Sequence, residues 1–200
     1  MSRGSATEGG TRERILDAAE ELLRRFGPAK TSVVDVARSL GMSHANVYRH
    51  FASKADLQDA VTRRWLRRIS EPLAATAHGP ERATVRLQHW MVQLTASQSD
   101  RVLTEPELFA TYRELAEQAR GVIEEHAAEL RRQLAEIISG GVREGDFRVS
   151  DAAAAAAILL NGTLRFHHPH FVRATGKPFE ERELLSALAV LTAGLRAAAV

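Results

Sequence analysis

At 200 residues, 44% of them hydrophobic, the chain is long enough to bury a sizeable core and to hold one helical domain with a second, smaller one. It has no cysteine, which excludes disulfides and thiolate metal sites. Net charge is only +2, but residues 1–70 hold 13 basic and 8 acidic side chains and the remainder 14 and 17, so the positive field, of the sign that would attract a polyanion, belongs to the first third. Residues 1–10 are polar and lack the apolar stretch of a signal peptide, and no apolar run is long enough to span a bilayer. The expectation is a cytoplasmic protein with no membrane partner and a disordered tail over 1–10.

From Thr11 to Phe26, Ile15, Ala19, Leu22, Leu23 and Phe26 fall on one stripe, which predicts an amphipathic helix ended by Gly27-Pro28. Residues Thr31 to Lys54, TSVVDVARSLGMSHANVYRHFASK, then read as two short helices joined by a glycine turn. Helices that cross steeply over a short turn need a small residue at the contact, a glycine at the bend and an apolar residue returning from the second helix. Ala37, Gly41 and Val47 supply these, with Val33, Val36 and Leu40 completing the first apolar face and Ser43 placed to cap the second helix. Val47 and Phe51, at i and i+4, turn inward. His44, Ala45, Asn46, Tyr48, Arg49 and His50 remain outward, a face rich in donors and acceptors where an ordinary solvated helix would carry Glu and Lys. It predicts DNA binding.

Ser53 and Asp56 have the spacing of a capping box and open a long helix through Leu57, Val61, Trp65, Leu66 and Ile69. Past His78-Gly79-Pro80, further amphipathic helices are predicted at 81–97, 105–117 and 119–143, the last ended by Gly140, Gly141 and Gly145. Ser150 and Asp151 open another, which carries the Ala152 to Ala157 run and stops at Pro169. A final helix over 179–198 has Leu184, Leu185, Leu188, Leu191 and Leu195. With no alternating β pattern, the fold class is all-α: a three-helix DNA-binding domain with a helix-turn-helix over 11–54, and a helical domain over 55–200.

The segment resembles, nearly position by position, the DNA-binding domain of the TetR family of bacterial transcriptional regulators, through Thr31-Ser32-Val33, Asp35-Val36-Ala37, Gly41-Met42-Ser43, Val47-Tyr48, Phe51 and Ser53-Lys54. Where many members have Lys-Gly-Thr after the capping serine, this chain has His44-Ala45-Asn46, a departure at the positions that read sequence. The resemblance implies phosphate contacts by Thr31, Tyr48 and Lys54, a homodimer paired through the last two long helices, and a small-molecule effector bound inside residues 55–200. DNA geometry favours a dimer independently, since one short helix reads too few base pairs. Side-chain chemistry suits Asn46 to adenine, Arg49 to guanine or phosphate, and His44 and His50 to either. Ser32, Ser43 and Ala45 complete the expected interface with a double-stranded, palindromic operator.

For the effector, His89, Trp90, Met91, Leu94, Phe109, Tyr112, Asn161, Arg165 and Phe166 are the candidate lining, with Arg113 and His167 beside them. Helical spacing makes core packing the default for each apolar one. His167 and His170 have i, i+3 spacing, but Pro169 interrupts them and no carboxylate is near in sequence, so no metal is expected. No phosphate-binding loop, nucleophile elbow or dinucleotide turn is present, so neither enzyme nor cofactor is expected. The expectation is a ligand-responsive regulator, most simply a repressor. The alternative is a non-specific architectural DNA-binding protein without a sensor.

Overall fold

The computed structural model describes residues 4–104, 106–175, 177 and 179–197. Among the described residues there are eleven helices and no strand, so the fold is all-α, and no helix is long and apolar enough to cross a membrane. Contacts divide the chain into two compact units, Met1–Leu66 with Glu107–Glu124, and Arg67–Pro106 with Glu125–Val200.

The first unit begins with α1, Gly4–Lys30, which starts upstream of the expected Thr11; residues 4–10, read as disordered tail, continue the helix. Their polar composition denies them a core but not a helix, because extending an established helix adds one hydrogen bond per residue fixed. Gly27 (φ 75°) interrupts α1 where Gly27-Pro28 was expected to end it. Ile15, Leu16, Ala19 and Leu23 form the buried stripe. Phe26 does not join it: the residue before the break is half exposed, with Arg25 over its ring. Then come α2 (Val33–Ser39), α3 (His44–Tyr48) and α4 (Lys54–Ala77), and the unit boundary falls within α4.

The two compact units are cut differently from the boundary expected at residue 54, in two ways. Residues of α4 as far as Leu66 belong with the first unit, and so does a segment some forty residues further on. The tie is specific. Tyr112 stacks on Trp65 with ring centroids 4.3 Å apart and donates its hydroxyl to Glu20 at 2.9 Å. Arg64 adds ion pairs to Asp17 at 2.7 Å and to Glu20.

Downstream lie α5 (Ala83–Thr104), α6 (Pro106–Gln118) and α7 (Arg120–Glu144), with the break at Ala119 where it was expected. Gly140 and Gly141 lie inside α7; only Gly145, at φ 81°, ends it. Gly141 is required by packing, since a Cβ there would collide with the ring of Phe147, which folds back into the core. The helix expected to stop at Pro169 is three pieces, α8 (Ala152–Gly162), α9 (Leu164–His167) and α10 (Pro169–Thr175). The first break falls at Thr163, whose hydroxyl donates to the Leu159 carbonyl at 2.7 Å, and Pro169 opens α10 because a first-turn N–H has no helical partner to lose. The last helix, α11, is Glu181–Ala197.

Trp90, Met91 and Leu94 of α5 are fully buried in the second unit. The Trp90 indole donates to Gln133 at 3.0 Å, and the Gln133 amide donates to the Ser70 carbonyl at 3.0 Å and to Glu129 at 2.7 Å. These hydrogen bonds let a buried Trp and a buried Gln share one core.

Candidate nucleic-acid interface

The geometry of Thr31 to Lys54 follows from local chemistry. Ser32 caps α2: its hydroxyl accepts the Asp35 N–H at 3.2 Å, while its own N–H and hydroxyl donate to the Asp35 carboxylate at 3.1 and 2.5 Å. This reciprocal box satisfies two helix-end donors. The Ser32 hydroxyl, then its N–H, holds the Asp35 carboxyl below its ordinary pKa. At the other end Met42 N–H donates to the Ala37 carbonyl at 3.0 Å and Gly41 N–H to the Arg38 carbonyl at 3.1 Å, the pairing of a Schellman motif. It requires a left-handed residue, and Gly41 has φ 64°. Ser43 then caps α3, its hydroxyl accepting the Asn46 N–H at 3.3 Å.

The two caps and the turn set the direction of α3. Val47 and Phe51 are buried beneath it, with the Arg12 guanidinium 4.9 Å from the Phe51 ring centroid. His44, Ala45, Tyr48 and Arg49 are exposed, and Asn46 and His50 are half-buried. No carboxylate lies between residues 36 and 55, and Asp35 before them is paired with Arg38 at 3.1 Å. The expected reading face is thus brought together on α3 and the turn that follows it. The Asn46 amide rests on the Met42 sulfur at 3.7 Å, a weak acceptor that leaves it ready to turn outward.

Four of the expected contact residues have their side chains engaged within the chain. Thr31 is buried and donates its hydroxyl to the Gly27 carbonyl at 2.9 Å, so its side chain is a strut between α1 and α2. Ser32 and Ser43 commit their hydroxyls to helix caps. Lys54, half-buried at the start of α4, donates to the Ala29 carbonyl at 3.3 Å, and Gln58 beside it donates to the Pro28 carbonyl at 3.3 Å. Capping of the Pro28–Lys30 turn by these two side chains was not visible in the sequence, because the partners lie 25 and 30 residues apart.

The expected effector residues do not form one group. Phe109 and Tyr112 belong to the first unit, where Tyr112 packs on Trp65. In the second unit Trp90, Met91 and Leu94 are core, while Asn161 is exposed on α8. His89 is exposed and paired with Glu81 at 3.1 Å; it lines an open groove with Gln88, Val92 and Leu185. Arg165 and Phe166 do meet, at a pocket of about 210 Å³ that includes Ser99, a residue no sequence pattern singled out. His167 is buried with Nε2 3.1 Å from the Leu160 carbonyl, and burial lowers its pKa to about 4. Among the described residues no three His, Cys, Asp or Glu side chains cluster as a metal site.

Comparison with known proteins agrees with this geometry. An uncharacterised helix-turn-helix regulator of Mycobacterium tuberculosis is 38% identical over 61 residues, a match that spans 30% of each protein. The repressor KstR2 of Mycobacterium tuberculosis is 26% identical over 161 residues, 74% of each. Among solved structures, one from Mesorhizobium loti assigned to the TetR family superposes with a TM-score of 0.70 at 19% identity, covering 96% of this chain and 98% of that one. SmeT of Stenotrophomonas maltophilia does so at 0.65 and 21% identity, covering 92% and 89%. The family of bacterial regulatory proteins of the tetR type matches residues 15–61, and the tetracyclin repressor-like C-terminal domain matches residues 83–186. Over both its halves, therefore, the chain belongs to the TetR family of bacterial transcriptional regulators, DNA-binding proteins rather than enzymes.

Proposed function

We propose that the protein is a repressor that binds a palindromic operator as a homodimer in the bacterial cytoplasm and is released by a small molecule. The observation that carries this reading is the outward face of α3, free of acid and held at a fixed angle by the Schellman turn and the Ser43 cap. In the major groove Asn46 pairs with adenine and Arg49 with guanine or a phosphate, with His44 and His50 as further donors and Ala45 against a thymine methyl. Tyr48 and Lys54 hold phosphates beside them. Thr31, Ser32 and Ser43 act one step back by fixing the two helices.

A homodimer is supported by the faces that α8 and α11 leave uncovered in the single chain. Ile158 is 64% and Val190 76% exposed, among the exposed small residues Ala153, Ala154, Ala189, Ala193 and Gly194. Small residues permit close helix approach, and a two-fold pair of reading helices matches two half-sites. Repression is supported by KstR2 and SmeT, both named as repressors. Effector control is supported by SmeT solved with triclosan and FadR of Bacillus subtilis with stearoyl-CoA. Such control needs a ligand that favours the dimer state fitting DNA poorly, and linkage then requires operator DNA to weaken ligand binding by the same factor. α4, which continues from one unit into the other, is the natural lever.

The deciding experiment incubates the purified protein with fragments of its own genome at near-physiological salt and sequences what is retained. A few palindromic sites are expected. Diffuse retention would replace the reading with a non-specific architectural binder, whose affinity barely depends on sequence.

A further inference from the structure

α5 carries three buried polar side chains within five residues, each with an oxygen that the fold leaves without a hydrogen-bond partner. Thr95, Gln98 and Ser99, at i, i+3 and i+4, are 0%, 7% and 2% exposed, and Thr95 Oγ1, Gln98 Oε1 and Ser99 Oγ have no hydrogen-bond partner. Gln133 in the same unit, equally buried, has its amide oxygen and nitrogen both paired. Buried polar atoms in native folds are nearly always satisfied, so three orphans on one stretch point to a missing partner.

Ser99 also lines the pocket of about 210 Å³. The lining separates by exposure: Ser99, Phe166, Val172 and Phe179 are buried or half-buried, and Arg165, Lys177, Glu180 and Glu183 are exposed. Among the described residues the inner wall is therefore three apolar side chains and Ser99, and the mouth carries two cations and two anions. Arg165 is already paired with Glu183 at 2.9 Å. The described mouth residues sum to zero net charge and so give neither an anion nor a cation an advantage, and the described inner-wall residues offer no charge to pair with one. A serine hydroxyl both donates and accepts, which suits another hydroxyl. The volume equals that of roughly seven waters, the size of a single substituted ring.

Resting on the effector reading above, we propose that this pocket takes a small neutral ring compound bearing one hydroxyl, of the phenol class, with the ring between Phe166 and Phe179 and the hydroxyl on Ser99. The test is ligand-observed NMR on the full chain with three probes of one shape: p-cresol, benzoate and toluene. Saturable binding of p-cresol is expected, tighter than either of the others. Ser99→Ala should weaken p-cresol about fivefold, the worth of one hydrogen bond, and leave toluene unchanged. Phe179→Ala, at a half-buried position, should weaken p-cresol and toluene alike. The proposal is overturned if the unaltered protein does not bind p-cresol, if benzoate binds as well, or if Ser99→Ala leaves p-cresol affinity unchanged. Running the same samples on retained operator fragments separates the two readings. Operator binding without p-cresol binding removes the pocket alone; p-cresol bound through Ser99 with no effect on operator affinity supports the pocket and removes release through it.

Discussion

The helix caps of the first compact unit and the core of the second draw on hydrogen-bond partners at different distances along the chain. In the first, the hydroxyl groups of the helix-turn-helix find partners within four residues: Thr31 with Gly27, Ser32 with Asp35, Ser43 with Asn46, Ser53 with Asp56. In the core of the second several lie far apart, as with Trp90 and Gln133, 43 residues distant, and Ala83 and Glu144, 61 residues distant, and one oxygen each of Thr95, Gln98 and Ser99 has none. Local pairing fixes a reading helix by chemistry that forms with the helices themselves. Long-range pairing fixes a core only once the whole unit has packed, and leaves room for that packing to respond to a ligand.

The hardest blow to this contrast would come from Phe147, which is buried against Gly141. Phe147→Ala should cost about 3–5 kcal/mol through the lost ring and the cavity left behind. Hydrogen exchange should show the loss in α5 and α7, with the amides of α2 and α3 keeping most of their protection. Equal loss in both units would mean that the first has no independent stability.

A drop in pH should act on the second unit next. His167 is buried with its pKa lowered to about 4 from 6.5, desolvation being the main cause. As pH falls from 6.5 towards 4 the unfolded chain takes up the proton first, so stability present above pH 6.5 is lost in that window, up to about 3 kcal/mol from this group. Denaturation midpoints at pH 7.5 and 5.0 should differ, and His167→Gln should remove part of the difference. A variant with the same pH dependence as the parent would acquit His167.

What could be read in advance follows the same division. The helix-turn-helix was legible because its signals, the small Ala37 at the contact, the glycine at the bend and Ser43 before α3, act over a few residues. The break at Ala119 and the end at Gly27 were legible for the same reason. Tyr112 was not: its stacking on Trp65 depends on a return of the chain that helical periodicity does not record. Nor was the role of Gly141, since adjacent glycines look like a helix end whether or not a ring such as Phe147 needs the space. The pocket was half legible, with Arg165 and Phe166 chosen for size and charge, and Ser99 missed because one serine on an amphipathic helix carries no signal.

On the reading face itself the expected effects are smaller but more specific. Asn46→Ala should cost about 1–3 kcal/mol on the selected operator and relax preference at one base pair, with little change on random DNA. Equal losses on both would move Asn46 from reading a base to holding the backbone. The side chain is half-buried against Met42, so a melting curve of the variant must accompany the binding curve.

Lys54 gives the finest test, because its ammonium group has two claims on it. In the free protein it donates to the Ala29 carbonyl at 3.3 Å, and in the proposed complex it holds a phosphate at the start of α4. Gln58 supplies a second donor to the same turn, on Pro28, so loss of the lysine should change stability little. Lys54→Gln keeps a donor and removes the charge; Lys54→Arg keeps both. If the phosphate claim holds, Lys54→Gln weakens every DNA sequence alike and lowers the slope of log affinity against log salt by about one unit, while Lys54→Arg restores it. A full slope in Lys54→Gln, together with a lowered melting temperature, would leave the lysine as a tie across the turn between α1 and α4, and the phosphate contacts of this face would then rest on Tyr48 and Arg49.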